Sequence, residues 1–304
     1  MRNIWKAIGI ILALMAIYLA AQSLVTFVIG IIGVLPVVMQ DISSGAVPDV
    51  IQMTEKLMRA VSAQTPLILF VSIAIAIPSY YLIYRSRKQE LLTFVSVRGI
   101  GAVSVPVLVI FGVSMNFLIE WLLSLASQLG FLAPVFEKYE HLAQFITGGD
   151  FVLSLLAVGI IGPIFEEILF RGLIFGELRK ITKVRVALLL QALLFGAFHM
   201  NVIQSSYAFI IGILLGFVYY RSNSILAPML VHITINSSTV LLTQFVTGSD
   251  LDTWTVVIIA ASTLLFVATG AFILLSRNFK RTMNDSLYEI NQAPKLQPPE
   301  ACDL

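Results

Sequence analysis

Residues Phe151 to Leu178 read FVLSLLAVGIIGPIFEEILFRGLIFGEL, and this stretch decides the fold. A bilayer core of roughly 30 Å takes about 20 apolar residues of helix, so the run is long enough to cross. Yet it carries Glu166 and Glu167 followed by Arg171. Charge at membrane depth is expensive and usually marks a site. Two later apolar segments carry polar groups in the same way. Residues 193–200 read LLFGAFHM, with Phe195 and His199, and residues 229–237 read MLVHITINS, with His232 and Asn236. Glutamate, histidine and asparagine together point to water-activating chemistry.

The whole chain agrees with that class. Hydrophobic residues make up 58% of the sequence, charged residues 12%, and the mean hydropathy is +0.94. This is the composition of an all-α polytopic membrane protein. A net charge of +2 gives no footing for nucleic acid. The single cysteine, Cys302, excludes a disulfide within the chain and a cysteine-ligated metal site. It also stands one residue too near the end for a prenylation box.

Eight spans are expected, approximately Ala7–Val34, Pro66–Tyr84, Ala102–Ala126, Phe151–Leu178, Val186–Met200, Ser206–Tyr220, Ile225–Phe245 and Trp254–Leu275; the fifth and sixth are short. The first apolar run continues well past a signal-peptide core of roughly 7–15 residues, so it reads as a retained helix. Basic residues collect at every second loop: Arg2 and Lys6, then Arg85, Arg87, Lys88 and Arg98, then Arg179, Lys180, Lys183 and Arg185, then Arg221, then Arg277, Lys280 and Arg281. By the positive-inside rule both termini are cytoplasmic. The expected home is the plasma membrane of a prokaryote. The chain divides into N-terminal helices and external loops (1–150), a core carrying the three clusters (151–245), a last transmembrane helix (246–276) and a polar tail (277–304). Short amphipathic helices are expected in the external loops, around Ile51–Val61 and Glu137–Phe145.

Helical geometry sorts the clusters. Residues four apart share a face while neighbours diverge by about 100°, so Glu167 and Arg171 pair and Glu166 points elsewhere, a candidate general base. Pro163, one turn earlier, is placed to kink the helix and open a cavity. Counting from the cytoplasmic ends, Glu166, His199 and Asn236 all lie roughly 20 Å deep at 1.5 Å per residue. Taken singly, each has a bland reading: a lone intramembrane Glu serves equally as a proton relay, a lone His or Asn often only bonds a neighbouring helix, and Phe195 alone is core packing. Glu120 and Asn116 belong to that bland class. Gly212 and Gly216 form a small-xxx-small pattern for close helix contact.

The ordered set Glu-Glu-x-x-x-Arg, Phe-x-x-x-His and His-x-x-x-Asn resembles the CAAX-protease and bacteriocin-processing family, the Abi or type II CAAX prenyl endopeptidase-like intramembrane proteases. The resemblance covers about Phe151 to Phe245 and shows no departure from the pattern. It implies an eight-helix membrane endopeptidase in which Glu166, helped by His199, activates water while His232 and Asn236 stabilise the oxyanion. Glu167, Arg171 and Phe195 then support the site. The implied substrates are membrane-associated or lipidated peptides and proteins: prenylated tails or, in a bacterium, pheromones, bacteriocins or membrane proteins. Membrane lipids are the other expected partners.

Zinc enters as an alternative, because Glu166, His199 and His232 supply two histidines and a carboxylate, as in many catalytic zinc sites. There is, however, no His-Glu-x-x-His. The resemblance implies a family long described as metal-dependent and also described with water activated by glutamate and histidine alone; the expectation here is no tightly bound metal. Two other functions compete with proteolysis. A proton-coupled transporter would use Glu166 and Glu167 but lacks an inverted repeat. A silent scaffold would not require an intact catalytic set.

Overall fold

The structure, a computed structural model, describes residues 2–44, 50–89, 95–147, 149–245, 255–276 and 279. Every regular element among them is helical. In chain order these are α1 (Arg2–Ser43), α2 (Val50–Ala63), α3 (Thr65–Ser86), α4 (Ser104–Ser127), α5 (Ala133–Thr147), α6 (Phe151–Arg179), α7 (Val184–Phe198), α8 (Val202–Ser222), α9 (Leu226–Phe245) and α10 (Thr255–Leu275).

Seven of these helices among the described residues are long and apolar enough to cross a membrane: α1, α3, α4, α6, α8, α9 and α10. The fifth expected span, α7, has 15 residues, about 22 Å of helix, less than the hydrocarbon core. The multi-pass class stands, with seven long helices and a shorter apolar one. The sixth expected span is longer than its apolar run indicated, because Asn201 caps α8 early, its side chain accepting from the Gln204 amide at 3.1 Å. The two amphipathic helices expected in the loops appear as α2 and α5, each somewhat longer than expected. Asp49, Asp250, Asp252, Trp254, Arg277, Lys280, Arg281, Cys302 and the rest of the polar tail apart from Phe279 lie outside the described residues.

Helix α6 is the axis of the bundle, with α1, α3, α7 and α9 packed around it. Its buried contact with α1 follows from spacing. Ala7, Ile11, Leu14, Tyr18 and Ala21 recur at alternating intervals of four and three, which lines up one face of a helix, and all five are buried. Antiparallel α7 and α8 form a hairpin whose backbones approach closely. A Cβ on Gly212 would stand 3.1 Å from the Ala192 Cα, and one on Gly216 would stand 2.7 Å from the Gln191 side chain. The small-xxx-small expectation is met at both positions.

Helix α6 is not uniformly α-helical. Leu155–Ile161 and Ile168–Ile174 are wound as π-turns, flanking the α-helical piece Gly162–Glu167. Pro163 supplies a reason for the first. Without an N–H it leaves the carbonyls four and five residues earlier, Gly159 and Val158, without their helical donor. Helix α9 replaces that donor: Ser237 Oγ donates to the Gly159 carbonyl and Asn236 Nδ2 to the Val158 carbonyl, each at 3.1 Å. A proline is tolerated in a membrane helix when a neighbour restores such bonds. The expected kink is therefore a widened helix docked onto α9.

Candidate active site

The α-helical piece between the two π-turns carries Glu166 and Glu167, and His232 of α9 reaches both. Its Nδ1 lies 2.8 Å from Glu167 Oε1 and its Nε2 lies 3.6 Å from Glu166 Oε2. The sequence placed the two glutamates on diverging faces. They do diverge, and one imidazole lies between them with a nitrogen turned to each. Glu167 is wholly buried, and the same Oε1 accepts from Arg171 Nη1 at 2.8 Å. The expected four-residue pair is therefore present. Arg171 is also fully buried, donates to the Gly212 carbonyl at 3.3 Å and lays its guanidinium over the Phe195 ring at 4.5 Å. Gln191 donates to the same carbonyl at 3.1 Å, tying the α7–α8 hairpin to α6.

Phe195 does more than pack beside His199. Its ring meets Phe170 at 5.0 Å, His199 at 5.0 Å and His232 at 5.7 Å, each edge-on at 80° or more, while Arg171 covers it. One aromatic ring thus sets the positions of both histidines and the buried cation.

The proton positions on the histidines follow from their partners. His199 Nδ1 faces the Phe195 carbonyl at 2.8 Å; a carbonyl only accepts, so Nδ1 donates and a neutral ring keeps its lone pair on Nε2. His232 Nδ1 likewise donates to the Glu167 carboxylate. Its Nε2 then faces the inward oxygen of Glu166, an atom that is sealed from solvent and makes no hydrogen bond. At 3.6 Å the two atoms are within ion-pair distance but beyond a hydrogen bond. The Glu166 side chain is still 21% exposed, so its other oxygen reaches accessible space. Asn236 has given one amide hydrogen to Val158 and retains a second.

The candidates therefore form two layers. Glu167, Arg171, His232 and Phe195 are buried; Glu166, His199 and Asn236 are half-buried. Among the described residues no hydrogen bond or ion pair joins His199 to Glu166, and the partner brought to Glu166 is His232. Among the described residues no group of three or more His, Cys, Asp or Glu side chains is arranged to hold a metal ion. Both nitrogens of His232 are turned to glutamates.

Three participants escaped the sequence reading. Ser237 is signalled only by Pro163 lying on another helix. Tyr18 lies on α1 with its ring 4.6 Å from Phe165. Glu177, at the end of α6, is a fully buried carboxylate bound by Arg87 at 3.0 Å, Lys180 at 2.7 Å and the Tyr84 hydroxyl, which donates at 3.2 Å. Glu120 is exposed, and Asn116 is buried and accepts from Thr239 at 2.9 Å, so both keep their bland reading.

Comparison with known proteins bears on this core. Residues 148–238 match the family described as type II CAAX prenyl endopeptidase Rce1-like, so this segment carries a domain of that peptidase family. A Bacillus subtilis (strain 168) protein named "Putative membrane peptidase YdiL" is 32% identical over 90 residues, 30% of this chain and 37% of that protein. The chain thus spans little more than a third of the relative's length. No solved structure matches.

Proposed function

We propose that the chain is an intramembrane endopeptidase that hydrolyses peptide bonds of membrane-associated or lipidated substrates with water activated by Glu166. The observation that carries this reading is His232 held between adjacent glutamates, one neutralised by buried Arg171 and the other half-open. In the proposed reaction the accessible oxygen of Glu166 takes a proton from water as its oxygen bonds the carbonyl carbon. His199, with Nε2 free, helps to orient that water. The Glu166–His232 pair holds the proton and returns it to the amine as the C–N bond breaks. An imidazolium at His232, stabilised by Glu167, and the spare amide hydrogen of Asn236 offset the charge on the tetrahedral oxygen. Preorganised donors in a low-dielectric site are worth far more than in water. The family of the matched segment and the name of the bacterial relative support the peptidase class.

Its proposed setting is the plasma membrane of a prokaryote with both termini cytoplasmic, which requires the α7–α8 hairpin to count as two crossings. The alternation of basic loops supports this. A cysteine introduced at Ser86, in a chain lacking Cys302, should resist membrane-impermeant reagent in intact cells; labelling from outside contradicts the topology. The function itself is tested by incubating the purified protein in liposomes with a peptide library that includes prenylated members. Cleavage by wild type and none by Glu166→Gln is the expected result. A wild type that cuts nothing returns the transporter and scaffold readings to first place. Chelator in the same assay reads metal dependence directly, and the expected result is full activity.

A further inference from the structure

The first helix lies outside the segment matched to the family, yet it presses a phenol against the site. Tyr18 is on the buried stripe of α1, its ring 4.6 Å from Phe165 and stacked at 5.7 Å on Phe198. These two residues immediately precede Glu166 and His199. The ring therefore bridges α6 and α7 at the points from which both half-open candidates project. Counted from Arg2, Tyr18 lies about 24 Å along α1, a depth similar to that of Glu166.

A second tyrosine provides the contrast. Tyr80 of α3 stacks on the same Phe165 at 6.2 Å, and its hydroxyl donates to the Leu14 carbonyl at 2.8 Å. That phenol is fully employed in holding α3 to α1. The Tyr18 residue is only 4% exposed, but its hydroxyl makes no hydrogen bond among the described residues and is not one of the sealed unpartnered atoms. It opens onto accessible space, within electrostatic reach of the Glu166 carboxylate. A buried tyrosine hydroxyl ordinarily has a partner. Among the described residues no protein group takes that part, so the Tyr18 hydroxyl is able to donate to a bound substrate.

The donors already assigned to the site are also partly committed. His232 Nδ1 donates to Glu167, and Asn236 spends one amide hydrogen on Val158. Stabilising a tetrahedral oxyanion rests on preorganised donors, and Tyr18 is an uncommitted one.

We propose that Tyr18 is a catalytic residue supplied by α1, its hydroxyl donating a hydrogen bond to the substrate carbonyl oxygen beside Glu166 and holding that oxygen as it becomes negative. This rests on the proteolytic reading above. Tyr18→Phe retains the ring and its contacts with Phe165 and Phe198 and removes only the donor. In the full chain in liposomes, with a peptide that wild type cuts, kcat should fall about 10²-fold with KM and thermal stability unchanged. Tyr80→Phe, which loses the bond to Leu14, should lower thermal stability and leave kcat intact.

Wild-type kcat in Tyr18→Phe overturns the inference. So does a loss of activity matched by an equal loss of folded protein, which makes Tyr18 a packing residue. Wild type and Glu166→Gln run alongside: a wild type that cuts and a Glu166→Gln that does not leave the proteolytic reading standing whatever Tyr18→Phe shows. An inactive wild type removes both.

Discussion

Two buried carboxylates ten residues apart on α6 have opposite meanings. Glu167 and Glu177 are both wholly buried, and each accepts from more than one partner through a single oxygen. The partners differ. Glu177 is met by Arg87 and Lys180, whose side chains are 29% and 18% exposed, at the end of the helix where charge reaches water. Burial pushes the Lys180 ammonium below its usual range, against the pull of Glu177. Glu167 is met by Arg171 and His232, which are themselves inside the bundle, and His232 extends to the half-open Glu166. Burial of a charge therefore does not identify a site. The proposed site rests on a neutralised carboxylate that orients a histidine toward a second, accessible carboxylate, because that arrangement leaves a group able to exchange protons with a bound substrate.

The largest test of this contrast is at Glu166. Glu166→Gln keeps the shape and removes the base, so proteolysis should fall by about 10²–10⁴ or more while thermal stability in detergent holds. His199→Ala should lose activity comparably. If either retains wild-type turnover, the upper end of α6 is no more a site than the lower.

Next in size is the buried pair. Arg171→Ala leaves Glu167 uncompensated and should cost about 3–5 kcal/mol, read as a lowered melting temperature in detergent. The double change Glu167→Gln, Arg171→Met should recover much of that stability, since no charge remains to be buried. A single variant as stable as wild type would deny the pair a structural role.

At the other end, Glu177→Gln should cost about 1–3 kcal/mol, because Arg87 and Lys180 can turn to water. Activity per folded molecule should be unchanged. Loss of kcat in Glu177→Gln at full stability would erase the distinction between the two carboxylates. Smallest is Lys180→Met, expected to shift stability by about 1 kcal/mol or less; a change as large as that of Arg171→Ala would show that the lower cluster is a core element.

The site was legible to different depths. The Glu167–Arg171 pair follows from a four-residue spacing, and the approach of α7 to α8 follows from Gly212 and Gly216; both rest on helix periodicity alone. Phe195 read as packing, because nothing in a single ring announces that Arg171 and two histidines will share it. Glu177 passed unnoticed since it adjoins the basic boundary at Arg179 and Lys180, where charge is expected. That His232 meets Glu166 is a matter of how α9 is rotated against α6. Asn236 and Ser237 answering Pro163 depends on the same docking.

By itself the sequence determined that this chain is a bundle of membrane helices and marked the polar clusters that α6, α7 and α9 carry. In lipid a backbone must satisfy its hydrogen bonds within its own segment, so an apolar run of about 20 residues has essentially one conformation open to it. Only the tertiary structure decided which of those polar residues meet. Helix spacing constrains positions along one axis, but the rotation, crossing and widening of each helix are set by its neighbours. Those packing choices put His232 between two glutamates, spent half of the Asn236 amide on an orphaned carbonyl, and brought Tyr18 from the first helix to the edge of the site.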